Sequence, residues 1–435
     1  MARILIATTP ASGHVNPVVS IARELVNRGH TVWWYTGKEF QPKIEQVGAS
    51  YKPINAAYDY SGMNLEEAFP HLYGVQGVSA FIEGWKQIFI DQAPRQLEDI
   101  LRLLDEFPAD ILFTDECCVG MGFAHEKTGI PMAYVNSSIY MYSSKDTAPL
   151  GLALPPDNSP IGRMRNAVLQ LIADRIVLRE LWSYAAKTRA RVDLPKLNKS
   201  GLANITELPE LYLLGTVPSF EYPRSDMYEH THFVGILSSP PPEQFDPPAW
   251  WDDLHDDRPV VHVTQGTVSN APDNLLVPTI RALAHEDVLV VATTGSTPVE
   301  SLTLDPLPDN VRVERFIPYY YILPYVDIMM TNGGFNGVQI ALSNGVPLIM
   351  AGTTEEKPEI IARATRAGVG INLKTQTPSE AQIRDAVKTI LRDPRYTQNA
   401  QRLQAEFKRY NGSQRAADLI EQLAQKKQGY VAKTC

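Results

Sequence analysis

Apolar positions along this chain follow two spacings. Short runs dense in β-branched and aromatic residues, namely RILIATT, TVWWY, DILFTD, MAYVN and LYLLG in the first half, are separated by stretches whose apolar residues recur at helical intervals. The first spacing suits strands buried on both faces and the second suits amphipathic helices, so their alternation predicts a parallel sheet with helices on both sides. The helix expected from about Pro17 to Arg28 is well punctuated. Pro17 suits its first turn, Val18, Ile21, Ala22 and Leu25 form one stripe, and Gly29 can close it.

A proline- and aspartate-rich segment, 238–258, breaks the alternation and reads as an interdomain linker. After it the alternation restarts with VVHVTQGT, VLVVATT, VRVERF, DIMMTN, PLIMA and VGINL. A chain of 435 residues with 44% hydrophobic content exceeds what a single core of roughly 250–300 residues organises. The expectation is therefore two Rossmann-like, doubly wound α/β domains, residues 1–237 and 259–435. The last forty residues are helical in pattern, with nothing to say where they pack. The segment Met141 to Asn198 is longer than an ordinary connection and either caps a cleft or forms a plain helical excursion.

The formal net charge is -9 without a lysine/arginine cluster, which argues against a nucleic-acid partner or an anionic membrane surface. No apolar stretch approaches the roughly 20 residues needed to span a bilayer, and the first residues read as a strand rather than a leader. Cys117 and Cys118 are adjacent and Cys435 is terminal, which makes neither a disulfide framework nor a zinc site. A cytoplasmic, reducing location is expected.

Ligands of open parallel sheets bind beyond the C-terminal strand ends, so the chemistry is sought there. TPASGHVNP puts His14 at the first strand end, and DILFTDECC leaves Asp115 at another in the same half. A carboxylate beside an imidazole orients it and stabilises its protonated form, as in general-base catalysis; the competing readings are a loop-capping histidine and a helix N-cap aspartate. The second half ends its strands in TQGT, TTGS and TNGGFNG. Hydroxyls, amides and glycines before a helix suit phosphate oxygens, although TNGGFNG also fits a tight turn with no ligand. No Gly-x-Gly-x-x-Gly follows the first strand, and neither a Walker lysine motif nor Asp-x-Asp occurs, which lowers the weight of nicotinamide, ATP hydrolysis and metal-held diphosphate.

The order of motifs, from GHVNP through LPDNVRVERFIPY to NGGFNGVQIALSNGVPLIMAGTTEEKPE, resembles family 1 glycosyltransferases of the GT-B fold, in particular the bacterial macrolide and natural-product branch. The resemblance runs nearly end to end. It implies two domains facing a cleft, a nucleotide-sugar donor in the C-terminal half, a hydrophobic small-molecule acceptor in the N-terminal half, transfer with inversion, and neither metal nor further cofactor. His14 falls on the catalytic base and Asp115 on its acidic partner. Phe316 falls where a ring stacks on the nucleobase, and Ile317 would bond the base through its backbone. Thr267, Asn332, Gly334 and Asn336 match diphosphate-loop positions, and Glu356 and Lys357 match residues that hold the sugar hydroxyls.

Three departures from the family pattern stand out. Asn332 stands for a loop histidine, Ile340 for a glutamate that grips the ribose, and Glu356-Lys357 for an Asp-Gln pair. They bear on which donor is taken, with Gln339 as a substitute reader of the ribose. Tyr58, Tyr60, Phe69, Tyr73, Phe81 and Trp85 are candidate acceptor-pocket residues, with ordinary core packing as the other account. A sugar-nucleotide epimerase on the same architecture and a two-lobed binding protein are the alternative functions, the latter disfavoured by the His14/Asp115 pair.

Overall fold

The computed structural model describes residues 1–136, 138–238, 244–265, 271–295, 297–302, 304 and 306–434. Arg3–Ala7 (β1), Thr31–Thr36 (β2), Ser50–Pro53 (β3), Ile111–Asp115 (β4), Met132–Asn136 (β5), Leu211–Leu214 (β6) and Thr231–Phe233 (β7) form a seven-stranded sheet, ordered β3-β2-β1-β4-β5-β6-β7. Val260–Thr264 (β8), Leu289–Thr293 (β9), Val311–Glu314 (β10), Ile328–Thr331 (β11), Leu348–Met350 (β12) and Gly370–Asn372 (β13) form a six-stranded sheet, ordered β10-β9-β8-β11-β12-β13. The strand pairs described in both sheets are parallel.

Each apolar run read as a strand is one. The central strands β4, β5, β8 and β9 are buried along their whole length, because helices cover both faces of the sheet. Successive side chains feed opposite cores: Leu5 and Ala7 enter one cluster and Ile4 and Ile6 the other, as Val261 and Val263 do against Val260 in the second sheet. The edge strands β3 and β7, SYKP and THF, are short and partly exposed, and no run in the pattern marks them.

The first helix, Ser12–Asn27, starts before the expected boundary, so Pro17 lies inside it. A proline at that point forfeits only the bond to the Gly13 carbonyl, and the helix forms around it. His14 consequently sits in the first helical turn rather than in a loop. Gly29, at φ +83°, closes the helix in the left-handed conformation that glycine tolerates.

Two segments tie the halves together. The helix Gly412–Thr434 crosses to the first domain, where Ala416, Ala417, Ile420 and Ala424 join the core under β1 and Arg28 bonds Asp418 and Glu421 at 2.6 and 3.0 Å. The proline-rich segment is no free spacer either: Phe245, Trp250 and Trp251 pack on the second core, and Phe245 stacks on Tyr321 with ring centroids 4.5 Å apart.

A buried ionic set spans the contact between the domains. Arg363 donates to Glu221 at 2.7 Å and to Glu359 at 3.0 Å, while Glu359 also accepts the N–H groups of Gly151 and Ala153 at 2.9 and 2.8 Å. In each sheet the strand order reverses once, between β1 and β4 and between β8 and β11. Such reversals open a crevice at the strand ends, and the two crevices line one cleft of about 2580 Å³.

Candidate active site

In the first crevice Asp115, at the end of β4, is wholly buried, and both its oxygens are hydrogen-bonded. Oδ2 accepts from Thr9 N–H at 2.7 Å, and Oδ1 accepts from Thr9 Oγ1 at 3.0 Å and Cys117 N–H at 2.9 Å. His14 Nδ1 lies 2.9 Å from the same Oδ1, and the imidazole keeps 21% of its side-chain surface open to the cleft. Burial works against the Asp115 charge, but the imidazole and the two backbone N–H donors outweigh it and hold the carboxyl below its usual range. Burial likewise works against imidazolium, and the charge and hydrogen bond of Asp115, with Glu356 from the second domain, overcome it and raise His14 above 6.5. Beside an ionised Asp115, Nδ1 carries and donates the hydrogen, so Nε2 keeps the lone pair. Cys117 offers a third donor atom within 4.8 Å of this pair. Its thiol is held protonated by burial and by Asp115, and Asp115 is already committed to four donors, so the set is a hydrogen-bonded acid–base pair.

The second crevice is built from backbone. Asn332 Nδ2 donates to the Gln265 carbonyl at the end of β8, and Asn332 Oδ1 accepts from Gly334 N–H at 3.3 Å. This clip fixes the entry to the helix Phe335–Ser343, whose N-cap is Gly334 and whose first residues line the cleft. Gly333 takes φ +87°, and a Cβ there would lie 2.8 Å from Ile361 Cγ1. Gly352 is required for space, since a Cβ would meet the Asn332 carbonyl oxygen at 2.0 Å.

Of the residues singled out in the sequence, His14, Phe316, Asn332, Gly334, Asn336, Glu356 and Lys357 line this one cleft. Thr267 lies outside the described residues. Phe316 is 72% exposed on the cleft wall, and Ile317 is buried behind it. Lys357 is buried, with Nζ bonded to Glu355. Ile340 lines the cleft, but Gln339 does not: it is buried and accepts from Thr216 Oγ1 at 2.7 Å across the domain contact. Among the six aromatics, Phe81 and Trp85 reach the cleft, whereas Tyr58, Tyr60 and Phe69 pack on one another. The long segment after Met141 walls the cleft with Tyr142, Leu150, Leu169 and Trp182.

Sequence reasoning passed over Thr9, whose only local signal is a hydroxyl at an apolar strand end, and Glu116, hidden beside Asp115. Among the described residues no helix is long and apolar enough to cross a membrane.

Residues 4–137 match the glycosyltransferase family 28 N-terminal domain, and residues 277–421 match the erythromycin biosynthesis protein CIII-like C-terminal domain. The chain is 54% identical to the 4'-demethylrebeccamycin synthase of Lentzea aerocolonigenes, over 97% of this chain and 99% of that one. It is 33% identical to UDP-glycosyltransferase 2 of Phaeomoniella chlamydospora, over 97% of this chain and 95% of that one. In structure it resembles the glycosyltransferase of kitacinnamycin, with a TM-score of 0.76 at 22% identity, covering 97% of this chain and 99% of that one. The paired sheets are thus the GT-B arrangement. Two of these three are transferases by name and the third is a synthase, and they lend the epimerase alternative no support.

Proposed function

The chain belongs to the glycosyltransferases of natural-product assembly that act on nucleotide sugars, and from that premise we propose its reaction. It moves a hexose, with inversion and without a metal, from a UDP- or TDP-linked donor to a hydroxyl of a hydrophobic small molecule, and a β-O-glycoside results. The observation that carries this reading is the His14 Nδ1–Asp115 Oδ1 contact of 2.9 Å on a cleft whose other wall is the glycine-rich helix start.

An acceptor hydroxyl beside Nε2 gives its proton to His14 as its oxygen attacks the anomeric carbon. The sugar passes through an oxocarbenium-like state while the diphosphate leaves from the opposite face, so one displacement inverts an α-linked donor. Negative charge grows on the departing diphosphate. The N–H groups at the start of Phe335–Ser343, with Asn332 and Asn336, stabilise that charge where it develops, and a helix N-terminus contributes about 0.3–1 kcal/mol toward it. Thr267 is assigned to the same phosphates, Phe316 to stacking on the base, Ile317 to its backbone contact, and Glu356 and Lys357 to the sugar hydroxyls. The free, buried Cys117 and Cys118 suit a reducing cytoplasm.

The test is incubation with UDP-glucose or TDP-glucose and a panel of hydroxylated polycyclic acceptors, read by mass spectrometry and by proton NMR of the anomeric centre. A β-linked product that forms at full rate in excess EDTA is expected. An α-linked product overturns inversion, and loss of activity restored by magnesium or manganese overturns the metal-free scheme.

A further inference from the structure

We infer that Glu116 selects the acceptor: its carboxyl, on the chamber wall and with Oε2 lacking a hydrogen-bond partner among the described residues, binds an uncharged hydrogen-bond-accepting oxygen of a flat apolar molecule. The inference rests on the reading of this half of the cleft as the acceptor chamber. Glu116 directly follows Asp115 at the end of β4 and lines the cleft with Phe89, Tyr142 and Trp182. Among the described residues Oε2 has no hydrogen-bond partner. A buried, unpaired carboxylate oxygen is expensive, and native structures rarely leave one without a purpose.

Two adjacent acids on one wall do not ionise equally. Asp115 has an imidazole and two backbone N–H groups to hold its charge. Glu116 has none of these; burial first, then Asp115 and, from across the cleft, Glu356 push its carboxyl well above its usual range. The other titratable groups near it, Cys117 on its own turn and Tyr134, Tyr142 and Tyr212 from the elements packed against it, are neutral at pH 7, their own ionisation pushed up by burial. A neutral carboxyl carries one O–H donor. On the wall of a chamber lined by Phe89, Tyr142 and Trp182, it matches a carbonyl, gains nothing from a plain hydrocarbon, and repels an anion.

Fluorene and 9-fluorenone test this. They share one flat skeleton, differ by one carbonyl and do not titrate. Binding is read by quenching of Trp85 and Trp182, which line the same cleft, in the intact protein with UDP present. Wild type is expected to prefer the ketone by about three- to tenfold, the yield of one ordinary hydrogen bond. Glu116→Leu should abolish the preference while still binding fluorene, and Glu116→Gln, whose amide N–H replaces the O–H, should keep it. The wild-type preference should also decline as pH rises and the carboxyl ionises, while that of Glu116→Gln stays constant; this pair decides the matter if Glu116→Leu does not fold. Equal affinity for both probes in wild type, or an unchanged preference in Glu116→Leu, overturns the inference and leaves the chamber standing. Failure of both probes to bind wild type overturns the chamber reading itself.

Discussion

Between β1 and β4 the first crevice holds an imidazole and a carboxylate, fixed by side-chain bonds to strand ends. Between β8 and β11, at the same topological position of the second sheet, the crevice holds Asn332, two glycines and a helix start, none of which titrates. One strand order thus serves two chemistries. The difference lies in what each crevice offers: side-chain protons in the first and backbone dipoles in the second. A side-chain site tolerates small backbone shifts but fails when one atom is removed. A backbone site tolerates side-chain exchange and fails when the backbone is bent.

The sharpest break in the comparison is His14→Ala. It should lower kcat on an alcohol acceptor by roughly two to four orders of magnitude, with donor binding unchanged in calorimetry. Retention of more than about a tenth of the wild-type rate would remove His14 as the base.

Gly333→Ala attacks the second crevice through its backbone, because a Cβ at φ +87° meets Ile361 and must shift the loop. Loss of one hydrogen bond to a charged phosphate costs about 1.5–3 kcal/mol, so the KM for the donor should rise roughly ten- to hundredfold. Acceptor affinity should not change, and a rise confined to the acceptor KM would show that the loop does not hold the donor.

Asp115→Asn sharpens the first crevice. In wild type the rate should rise with pH as His14 loses its proton, along a limb placed above the ordinary imidazole value by Asp115 and Glu356. Without the Asp115 charge, burial goes largely unopposed and favours neutral imidazole, so the limb should move to lower pH while the plateau falls with the weaker base. A limb that stays in place would mean that another group titrates.

The smallest effect concerns the nucleotide. Ile340 lines the cleft and its side chain offers no acceptor for a ribose hydroxyl, and the exposed ring proposed to stack at Phe316 can accept either pyrimidine. UDP-glucose and TDP-glucose should therefore have specificity constants within about tenfold, or about 1.4 kcal/mol. A preference for UDP-glucose beyond a hundredfold in competition kinetics would show that another residue reads the ribose, and Ile340→Glu should shift the balance toward UDP.

Much of this was legible along the chain because helices and doubly buried strands each impose a local period. β1, β4, β8 and β11 announced themselves as unbroken apolar runs, and the strand ends then pointed to His14, Asp115 and Asn332. The edge strands β3 and β7 did not, since three or four half-exposed residues carry no period. Ser12 was hidden because the start of a helix without a side-chain cap leaves no mark, and Pro17 drew the boundary to itself. Gln339 is adjacent to Ile340, yet helical geometry turns it to the domain contact instead of the cleft.

Sequence alone determined that there are two parallel sheets, where their strands end, and which chemical groups stand at those ends, because each of these follows from residues near one another in the chain. Tertiary structure decided what those groups meet. Thr9 reaches Asp115 across 106 residues, and Arg363 reaches Glu221 across 142. The apolar stripe of Gly412–Thr434 shows only that one helical face must be covered; packing on the first helix and beneath β4 and β6, beside Arg28, is what covers it. Glu116 illustrates the same division, since its letter is that of any surface acid and only burial beside Asp115 pushes its carboxyl well above the usual range.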